Sequence, residues 1–483
     1  MPLIPDIQKI DPVLNQIPQQ LHCIHLMGIC GTGMASLAGI LQQKGYKITG
    51  SDRNIYPPMS LFLEDLSIPV MEGYQAENLD QNPDLVIVGN VITRDNPEAI
   101  RLVEAGLPYL SFPQAIKHFI LLEKRSIVIS GTHGKTTTSS ISAWALEESG
   151  LAPSFMIGGI PLNFQSGFKL DKGPYAVIEG DEYDTAFFDK GPKFLHYDPW
   201  IVILTSIEFD HADIYRDLDH IISSFRKLLT LIPEQGYLIA NIDDPVVKSL
   251  TAEAKCRVRT YSLTQKAYIR GTDIDVEGSI TKIKITRDDK PFVEVATPIY
   301  GHHNLSNLLA TVSLADCLAL SAKAIKNAFI TFKGVKRRQE IIGEKRNILI
   351  LDDFAHHPTA VRKTIFAVRE KYKKRRLIAI FEPRSNTSRR NIFQQQYATA
   401  FNHADWVMIP EPPRIGTILP VDKFSSSQLV KDLLGKGIKA SCFQDSGVLF
   451  SALKSEIKSG DVVLFMSNGS FDNLPGRLLE SLI

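Results

Sequence analysis

The sequence predicts an α/β protein of three domains, and three observations support this prediction. A strand, a glycine-rich loop and a helix follow one another near residue 22 and again near residue 126. Strands and helices alternate a third time after residue 334, which is typical of layered α/β folds. We therefore predict a Rossmann-like N-terminal domain at residues 1–118, a central P-loop α/β domain with an antiparallel β segment at 119–333, and a Rossmann-like C-terminal domain at 334–483.

The first βαβ unit carries a glycine loop of the kind found in nucleotide-binding folds. Gly28, Gly31 and Gly33 follow a strand at 22–27, and Asp52 ends the next strand, about 20 residues further on. The order G-x-x-G-x-G departs from the dinucleotide fingerprint, because Cys30 stands where that fingerprint has its second glycine. We interpret the loop as a site for a diphosphate and a ribose, without presuming NAD; a plain tight turn is the alternative. Strands at 84–90 and 107–112 complete a parallel sheet by about residue 115.

The second strand–loop–helix unit predicts a phosphate-binding loop and hence an ATPase centre. Ser126–Ser130 is a short apolar run, Gly131 and Gly134 follow it, and a helical apolar pattern comes next. Glycines let backbone N–H groups approach phosphates, and the helix N-terminus adds its dipole. In this pattern Lys135 holds the β- and γ-phosphates, and the Thr136 hydroxyl ligates Mg²⁺. A basic loop at a helix start is the alternative, since the two glycines are closer together than in the common pattern.

Two acidic clusters follow apolar strands in the central region. The strands begin near residues 174 and 200, and the clusters comprise Glu179, Asp181, Glu182, Asp184, Glu208, Asp210, His211 and Asp213. Ligands of open α/β sheets bind at the carboxyl ends of strands, so we expect these two strands to be neighbours beside the phosphate loop. Oxygen ligands in that place suit Mg²⁺, although any single carboxylate could instead be a solvated loop charge.

Residues 257–295 show short alternating runs that predict antiparallel strands, and a helix follows them. That helix carries Asn304 at its predicted N-cap and Asn307 three residues later, so the two amides share one face. Together they can contact the donor and acceptor edge of an adenine. A simple capping role for Asn304 is the alternative.

A polar, basic hinge at residues 332–340 leads to the third α/β unit. Strand, polar loop and helix alternate in two stretches that begin at residues 347 and 375, and further strands are predicted at 405–410 and 461–466. The unit lacks a glycine fingerprint, so we do not expect it to bind a dinucleotide of its own. Its loops carry Asp352, Asp353, His356, His357, Arg384 and Asn386. For the two histidines, capping and phosphate contacts are favoured over metal binding.

Composition indicates a reduced, soluble protein. Lys and Arg number 54 against 53 Asp and Glu, so no overall field recruits nucleic acid or an acidic membrane. The five cysteines form no C-x-x-C pair, and the N-terminal segment lacks the apolar core of a signal peptide. No apolar run approaches the ~20 residues of a spanning helix. We therefore expect a cytoplasmic protein without nucleic-acid or membrane partners; the sequence predicts no oligomeric state.

Nine motifs make the sequence similar to the Mur ligases, which build and reuse the peptide stem of bacterial cell walls. They lie within residues 24–470 and are GICGT, GSDRNIYPPMS, GTHGKTTT, IGGIPLNF, EGDEYDTAFFDKGPKF, EFDHADIY, DDFAHHPTA, EPRSNT and MSNGS. They resemble most the recycling enzymes that join UDP-N-acetylmuramate to an anionic murein tripeptide, L-alanyl-γ-D-glutamyl-meso-diaminopimelate. The resemblance implies an ATP- and Mg²⁺-dependent ligase that works through an acyl phosphate. The alternative within the family is the biosynthetic ligase that adds free L-alanine.

The resemblance also implies roles for individual residues. UDP-N-acetylmuramate would lie against Gly28, Gly31, Thr32, Gly33 and Asp52. ATP would lie against Gly131, Thr132, His133, Gly134, Lys135, Thr136, Thr137, Asn304, Asn307, Arg338, Asp353 and His356. The metal ligands would be Thr136, Glu179 and His211, and the catalytic residues Lys135, His211 and Arg338. Closure of the three domains would shelter the acyl phosphate from water.

The acceptor site is predicted from charge. A tripeptide with three carboxylates and two amines needs several separated cations or hydrogen-bonding groups, and arginine suits a carboxylate best. Arg384, Ser385 and Asn386 follow a strand directly and are predicted to face the cleft, with Arg384 binding a carboxylate. Arg389 and Arg390 are predicted to be solvated charges.

Two other classes of function fit parts of the pattern. The glycine loop with Asp52 also fits an NAD-dependent oxidoreductase, although the Gly-Lys-Thr loop argues against one. A nucleotide-gated binding module would bind ATP but would not release ADP when an acceptor is added.

Overall fold

The computed structural model describes residues 10–55, 59–212, 214–412 and 422–482, which form three β-sheets surrounded by helices. The predicted α/β class and three-domain architecture are confirmed, whereas the boundaries near 118 and 333 stay predictions. Asp213, residues 1–9 and residues 56–58 of the motif GSDRNIYPPMS lie outside the described residues. In the described ranges, no helix combines the length and apolar character needed to cross a membrane.

The first sheet is built from five short strands: β1 (Cys23–Met27), β2 (Lys47–Asp52), β3 (Val70–Glu72), β4 (Leu85–Val88) and β5 (Tyr109–Ser111). They pair in parallel in the order β3-β2-β1-β4-β5. The accompanying helices are α1 (Thr32–Gln43), α2 (Met59–Asp65), α3 (Pro97–Glu104) and α4 (Phe112–Ile116). The four strands predicted here are confirmed. The edge strand β3 is not predicted, because its three residues are no more than half-buried and form no apolar run.

The central sheet contains β6 (Arg125–Ser130), β7 (Ser154–Met156), β8 (Phe168–Lys169), β9 (Tyr175–Gly180), β10 (Pro199–Leu204), β11 (Tyr237–Asn241), β12 (Arg257–Ser262), β13 (Ile269–Glu277), β14 (Ile280–Arg287) and β15 (Lys290–Thr297). Their order is β15-β14-β13-β12-β11-β10-β6-β9-β7-β8. Its helices are α5 (Lys135–Glu148), α6 (Leu218–Thr230), α7 (Pro245–Leu250), α8 (His302–Cys317) and α9 (Ala322–Thr331).

Strand β6 lies inside this sheet and is buried on both faces, as its continuous apolar sequence predicts. Ile127 and Ile129 pack with Ile141 of α5 on one face, and Val128 packs into the core on the other. All four side chains are 0% exposed, and each such burial contributes roughly 1.5–3 kcal/mol. The loop after β6 therefore starts from a firmly held strand end.

The central sheet corrects three predictions. β9 and β10 are not neighbours, because β6 lies between them; their ends flank the loop after β6 from opposite sides. β12 pairs in parallel with β11, so antiparallel pairing in this region begins with β13 and β14. Alternation along one strand does not reveal the direction of its partner, which explains this error. Helix α8 has Gly301 as its N-cap, which places Asn304 inside the first turn.

The third sheet contains β16 (Glu340–Lys345), β17 (Ile348–Asp353), β18 (Leu377–Phe381), β19 (Trp406–Pro410), β20 (Lys439–Phe443) and β21 (Val462–Met466). The order is β16-β17-β21-β18-β19-β20, with β16 antiparallel and the other strands parallel. Its helices are α10 (Pro358–Lys371), α11 (Gln394–Ala400), α12 (Ser426–Gly435), α13 (Ser446–Glu456) and α14 (Leu474–Ser481). The four strands predicted here are confirmed, and the edge strands β16 and β20 are additional.

Candidate active site

A cleft of about 1010 Å³ opens where the three domains meet. The predicted site residues that line it are Thr32, Gly33, Thr132, His133, Gly134, Lys135, Thr136, Thr137, Glu179, His211, Asn304, Asn307, Arg338, Asp353, His356, Arg384, Ser385 and Asn386. Gly28, Gly31, Asp52 and Gly131 are not among the described residues that line it. The fold therefore brings together side chains from positions 32 to 386.

The loop between β6 and α5 is shaped by two glycines with positive φ, 129° at Gly131 and 83° at Gly134. A Cβ on Gly134 would lie 2.5 Å from Oδ1 of Asn307, so a larger residue would be excluded by both backbone strain and space. Gly134 is also the N-cap of α5 and offers no side-chain cap. The first backbone N–H groups of α5 are thus left for an anion in the cleft, as expected of a phosphate loop.

Lys135, at the start of α5, is held by carboxylates from the segment after β9. Its Nζ donates to the Gly131 carbonyl at 2.7 Å and to Oε2 of Glu182 at 2.9 Å. Oε1 of Glu182 lies 3.5 Å from Nε2 of His211. Burial acts to raise the pKa of Glu182, but Lys135 and His211 outweigh it and lower the pKa to about 2. The carboxylate is therefore ionised and holds both Lys135 and the His211 ring in place.

A second set of contacts connects Thr136, Glu179 and Arg338 on the other side of the phosphate loop. The Thr136 hydroxyl donates to Oε2 of Glu179 at 3.2 Å, and Nη2 of Arg338 donates to the Thr136 hydroxyl, also at 3.2 Å. The Gly158 N–H donates to Oε1 of Glu179 at 2.8 Å. Burial and the nearby Asp181 raise the pKa of Glu179, so this carboxylate lacks sufficient positive charge around it. Such a site favours an added cation.

The third domain contacts this region through the residue before β16 and the end of β17. The Gln339 and Ala355 backbone N–H groups donate to Asp353 at 2.8 and 2.7 Å. Nδ2 of Asn304 donates to Oε1 of Gln339 at 3.0 Å, and Nδ2 of Asn307 donates to Oδ1 of Asn304 at 3.3 Å. The two asparagines thus share a helix face, as predicted, and that face contacts the hinge.

A histidine cluster borders the cleft. Nε2 of His133 and Nδ1 of His357 lie 3.4 and 3.6 Å from Oε2 of Glu208, a grouping that would also suit a metal ion. However, Nδ1 of His357 accepts the Thr359 N–H at 3.2 Å, and Nε2 lies 3.3 Å from the Phe209 carbonyl. Because both ring nitrogens of His357 are already engaged, the geometry favours the capping role over the metal role for this residue.

We expect this cluster to make the protein less stable in acid. Burial lowers the pKa of His357 to about 4, below its ordinary value of 6.5, so unfolding takes up a proton between these values. The stability from neutral His357 is present above pH 6.5 and is lost as pH falls towards 4. The melting temperature of the wild type should be lower at pH 5 than at pH 7.5. This decrease should be smaller in His357→Asn, because asparagine keeps a capping side chain but cannot take up a proton. The control is His403→Asn, which replaces an exposed histidine and should show the same decrease in melting temperature as the wild type. An equal decrease in both variants would contradict the assignment of this pH effect to His357.

The predicted residues of the first domain form a preordered loop. Asp52 is 7% exposed, and its carboxylate accepts the N–H groups of Cys30 at 2.9 Å and Asn54 at 3.0 Å. Helix α1 follows Gly31 without a side-chain cap, and Thr32 and Gly33 at its first turn line the cleft. Asp52 therefore holds the loop in shape, and the α1 N-terminus is the part that meets the cleft.

The segment after β18 lines the cleft from the third domain. Nη1 of Arg384 lies 3.2 Å from Oε1 of Glu382, and the Arg384 side chain is 31% exposed. Oδ1 of Asn386 accepts from Nη2 of Arg389 at 2.9 Å. The prediction that Arg389 is a solvated charge is wrong: it is 7% exposed and lines the cleft. The turn in which the Arg389 N–H bonds to the Ser385 carbonyl at 3.1 Å directs it inward.

Sequence reasoning assigned no role to several residues that line the cleft: Phe112, Tyr183, Lys193, Gln339 and Arg389. Lys193 and Tyr183 lie within one of the nine motifs, which was the available signal. Phe112 and Gln339 carry no local signal, because their positions depend on contacts between domains.

Comparison with known proteins agrees with this geometry. Three family models match successive parts of the chain: Mur ligase family, catalytic domain, at residues 23–124; Mur ligase middle domain at 129–315; and Mur ligase, glutamate ligase domain, at 337–469. A murein peptide ligase from Psychrobacter arcticus, known from its crystal structure, has a TM-score of 0.73 at 34% identity, covering 95% of this chain and 98% of that one.

Two curated relatives extend the comparison. The UDP-N-acetylmuramate–L-alanyl-γ-D-glutamyl-meso-2,6-diaminoheptandioate ligase of Escherichia coli K12 is 37% identical over 466 residues, covering 95% of this chain and 98% of that protein. A UDP-N-acetylmuramate–L-alanine ligase of Anaeromyxobacter sp. strain Fw109-5 is 31% identical over 459 residues, covering 95% and 97%. The chain therefore belongs to the Mur ligase family, whose members are ATP-dependent enzymes that form amide bonds.

Proposed function

We propose that this protein ligates UDP-N-acetylmuramate to L-alanyl-γ-D-glutamyl-meso-diaminopimelate in peptidoglycan recycling, while ATP is converted to ADP and phosphate. The observation that carries the proposal is the position of Lys135 and its phosphate loop in a cleft that all three domains line. One domain can hold the nucleotide sugar, the central one ATP and the third the acceptor. The 37% identical relative is named for this reaction, and it is more similar than the 31% identical L-alanine ligase.

The reaction has two steps in this proposal. A carboxylate oxygen of the muramoyl group attacks the γ-phosphorus of ATP, which forms an acyl phosphate and breaks the bond to ADP. The amine of the tripeptide then attacks the acyl carbon, phosphate leaves, and the nitrogen loses a proton to give the amide. In this proposal Lys135, Arg338 and the N–H groups of α5 hold the phosphate charge throughout, which their positions around the phosphate loop support.

The donor set next to the phosphate loop fits Mg²⁺. Thr136 and Glu179 offer oxygen atoms 3.2 Å apart, and the raised pKa of Glu179, caused by burial and Asp181, supports the proposal that this carboxylate binds a cation. His211 faces Glu182 at 3.5 Å and would complete the set. Bound Mg²⁺ would neutralise the phosphate oxygens during phosphoryl transfer.

Metal dependence provides a direct test of these residues. We expect activity to require Mg²⁺ or Mn²⁺, and His211→Ala to raise the metal concentration for half-maximal rate, because one ligand is lost. Glu179→Gln should act in the same direction, since a neutral amide binds the cation less strongly. His220→Ala is a matched control on α6, because His220 is not among the described residues that line the cleft. Unchanged metal dependence in both site variants would assign them a structural role.

The acceptor is tested by ADP release at a fixed concentration of UDP-N-acetylmuramate. We expect kcat/KM to be much higher with the tripeptide than with L-alanine, because a cleft with both Arg384 and Arg389 suits several carboxylates. A preference for L-alanine would indicate that the protein catalyses the biosynthetic reaction instead. ATP binding without acceptor-dependent ADP release would indicate a binding module instead.

A further inference from the structure

Lys193 is a cation between the glycine loop before α1 and the phosphate loop before α5, and neither step of the proposed reaction uses it. It starts the short 3₁₀ turn Lys193–His196 after β9 and lines the cleft with a side chain that is only 12% exposed. Its Nζ lies 3.1 Å from Oδ2 of Asp181 and 4.2 Å from the centre of the Tyr183 ring. These two contacts fix the position of its ammonium group.

The contacts of Lys193 reach both neighbouring sites. Towards the first domain, its Nζ lies 5.5 Å from the centre of the Phe112 ring, and a Cβ on Gly33 would lie 2.9 Å from that ring. Towards the phosphate loop, Oδ1 of Asp181 lies 3.9 Å from Nζ of Lys135. Lys193 therefore lies on the path from the first turn of α1 to Lys135.

The charges around Lys193 indicate what kind of group it binds. Glu179, Asp181 and Glu182 surround the phosphate loop, and Lys135 already donates to Glu182. A substrate carboxylate that enters here meets Glu179 and Asp181, which line the cleft, and therefore needs a cation beside it. Lys193 provides one on the side from which the first domain delivers its ligand.

We propose that Lys193 binds the lactyl carboxylate of UDP-N-acetylmuramate and so directs it to the γ-phosphate of ATP, an inference that rests on the function proposed above. The diphosphate would remain on the α1 side, beyond Phe112. Lys193 is thus a determinant of specificity for a nucleotide sugar that carries a carboxylate.

The test compares two nucleotide sugars by calorimetry in the presence of Mg²⁺ and a non-hydrolysable ATP analogue. UDP-N-acetylglucosamine shares the nucleotide and diphosphate of UDP-N-acetylmuramate but lacks the lactyl carboxylate. We expect Lys193→Met to weaken binding of UDP-N-acetylmuramate by ~10–100-fold and to leave UDP-N-acetylglucosamine binding unchanged, because one charged contact is lost. Lys193→Gln, whose uncharged amide can donate to Asp181, should behave alike, and Lys193→Arg should recover part of the affinity.

The matched control is Lys190→Met, a lysine of the same segment that is 64% exposed and pairs with Asp184. It should bind both sugars like the wild type. An equal loss for both sugars in Lys193→Met and Lys193→Gln, or no loss at all, would overturn the proposal. Wild-type protein that binds neither sugar would instead contradict the proposed function.

Discussion

Replacement of Lys135 by alanine is expected to lower turnover by ~10²–10⁴-fold, the range for loss of a preorganised charge in a site that excludes water. The side chain is 13% exposed and lies between the Gly131 carbonyl and Glu182, so it is fixed before the substrate arrives. Burial alone would lower the pKa of Lys135, but the Glu182 and Asp181 carboxylates outweigh it and raise the pKa, which keeps the charge in place.

Loss of Lys135 also leaves Glu182 as a buried carboxylate without its lysine, so stability must be separated from catalysis. The double variant Lys135→Ala/Glu182→Gln removes that carboxylate charge and should recover thermal stability without recovering turnover. Lys169→Ala, which removes ion pairs with Glu147 and Asp171 elsewhere in the central domain, is the control for a lost salt bridge. Near-normal turnover in folded Lys135→Ala would contradict the role of this loop in phosphate binding.

Arg384→Ala is expected to cost about 2–4 kcal/mol in kcat/KM for the tripeptide, because the acceptor carboxylate, partly buried in the cleft, would lose its cationic partner. The Arg384 side chain lines the cleft next to Gly469, where a Cβ would overlap it, so the chain makes room for this arginine. The KM for ATP should hardly change, since ATP is expected to lie against the central domain. The assay is steady-state ADP release with the tripeptide varied.

Arg390→Ala provides the matched control for Arg384. It belongs to the same segment and carries the same charge, but it is not among the described residues that line the cleft. Tripeptide kinetics should be close to wild type in this variant. If Arg384→Ala behaves like Arg390→Ala, the acceptor carboxylate binds elsewhere.

The parts of the site that depend on local sequence could be predicted. The phosphate loop combines a buried strand, two glycines that need positive φ and an uncapped helix, and each of these leaves a local signal. The spacing of Asn304 and Asn307 likewise places them on one face of α8. In such cases the neighbours in sequence determine the geometry.

The parts that depend on distant contacts could not be predicted. The insertion of β6 between β9 and β10 is set by pairing across the sheet, which the sequence of a single strand does not encode. Arg389 faces inward because of a turn that begins at Ser385, and Gln339 contacts Asn304 only after the third domain docks. Each of these features depends on residues that are distant in sequence or on the path of a turn, which local patterns do not encode.

Formation of an acyl phosphate in this cleft is tested most directly by hydroxylamine trapping under rapid quench. With UDP-N-acetylmuramate, ATP and Mg²⁺ but no acceptor, we predict a muramoyl hydroxamate, because the γ-phosphoryl group is transferred before the amine arrives. The hydroxamate should be absent when ATP is omitted and should fall with Lys135→Ala. Ligation of the tripeptide at full rate without any trapped hydroxamate would contradict the two-step reaction.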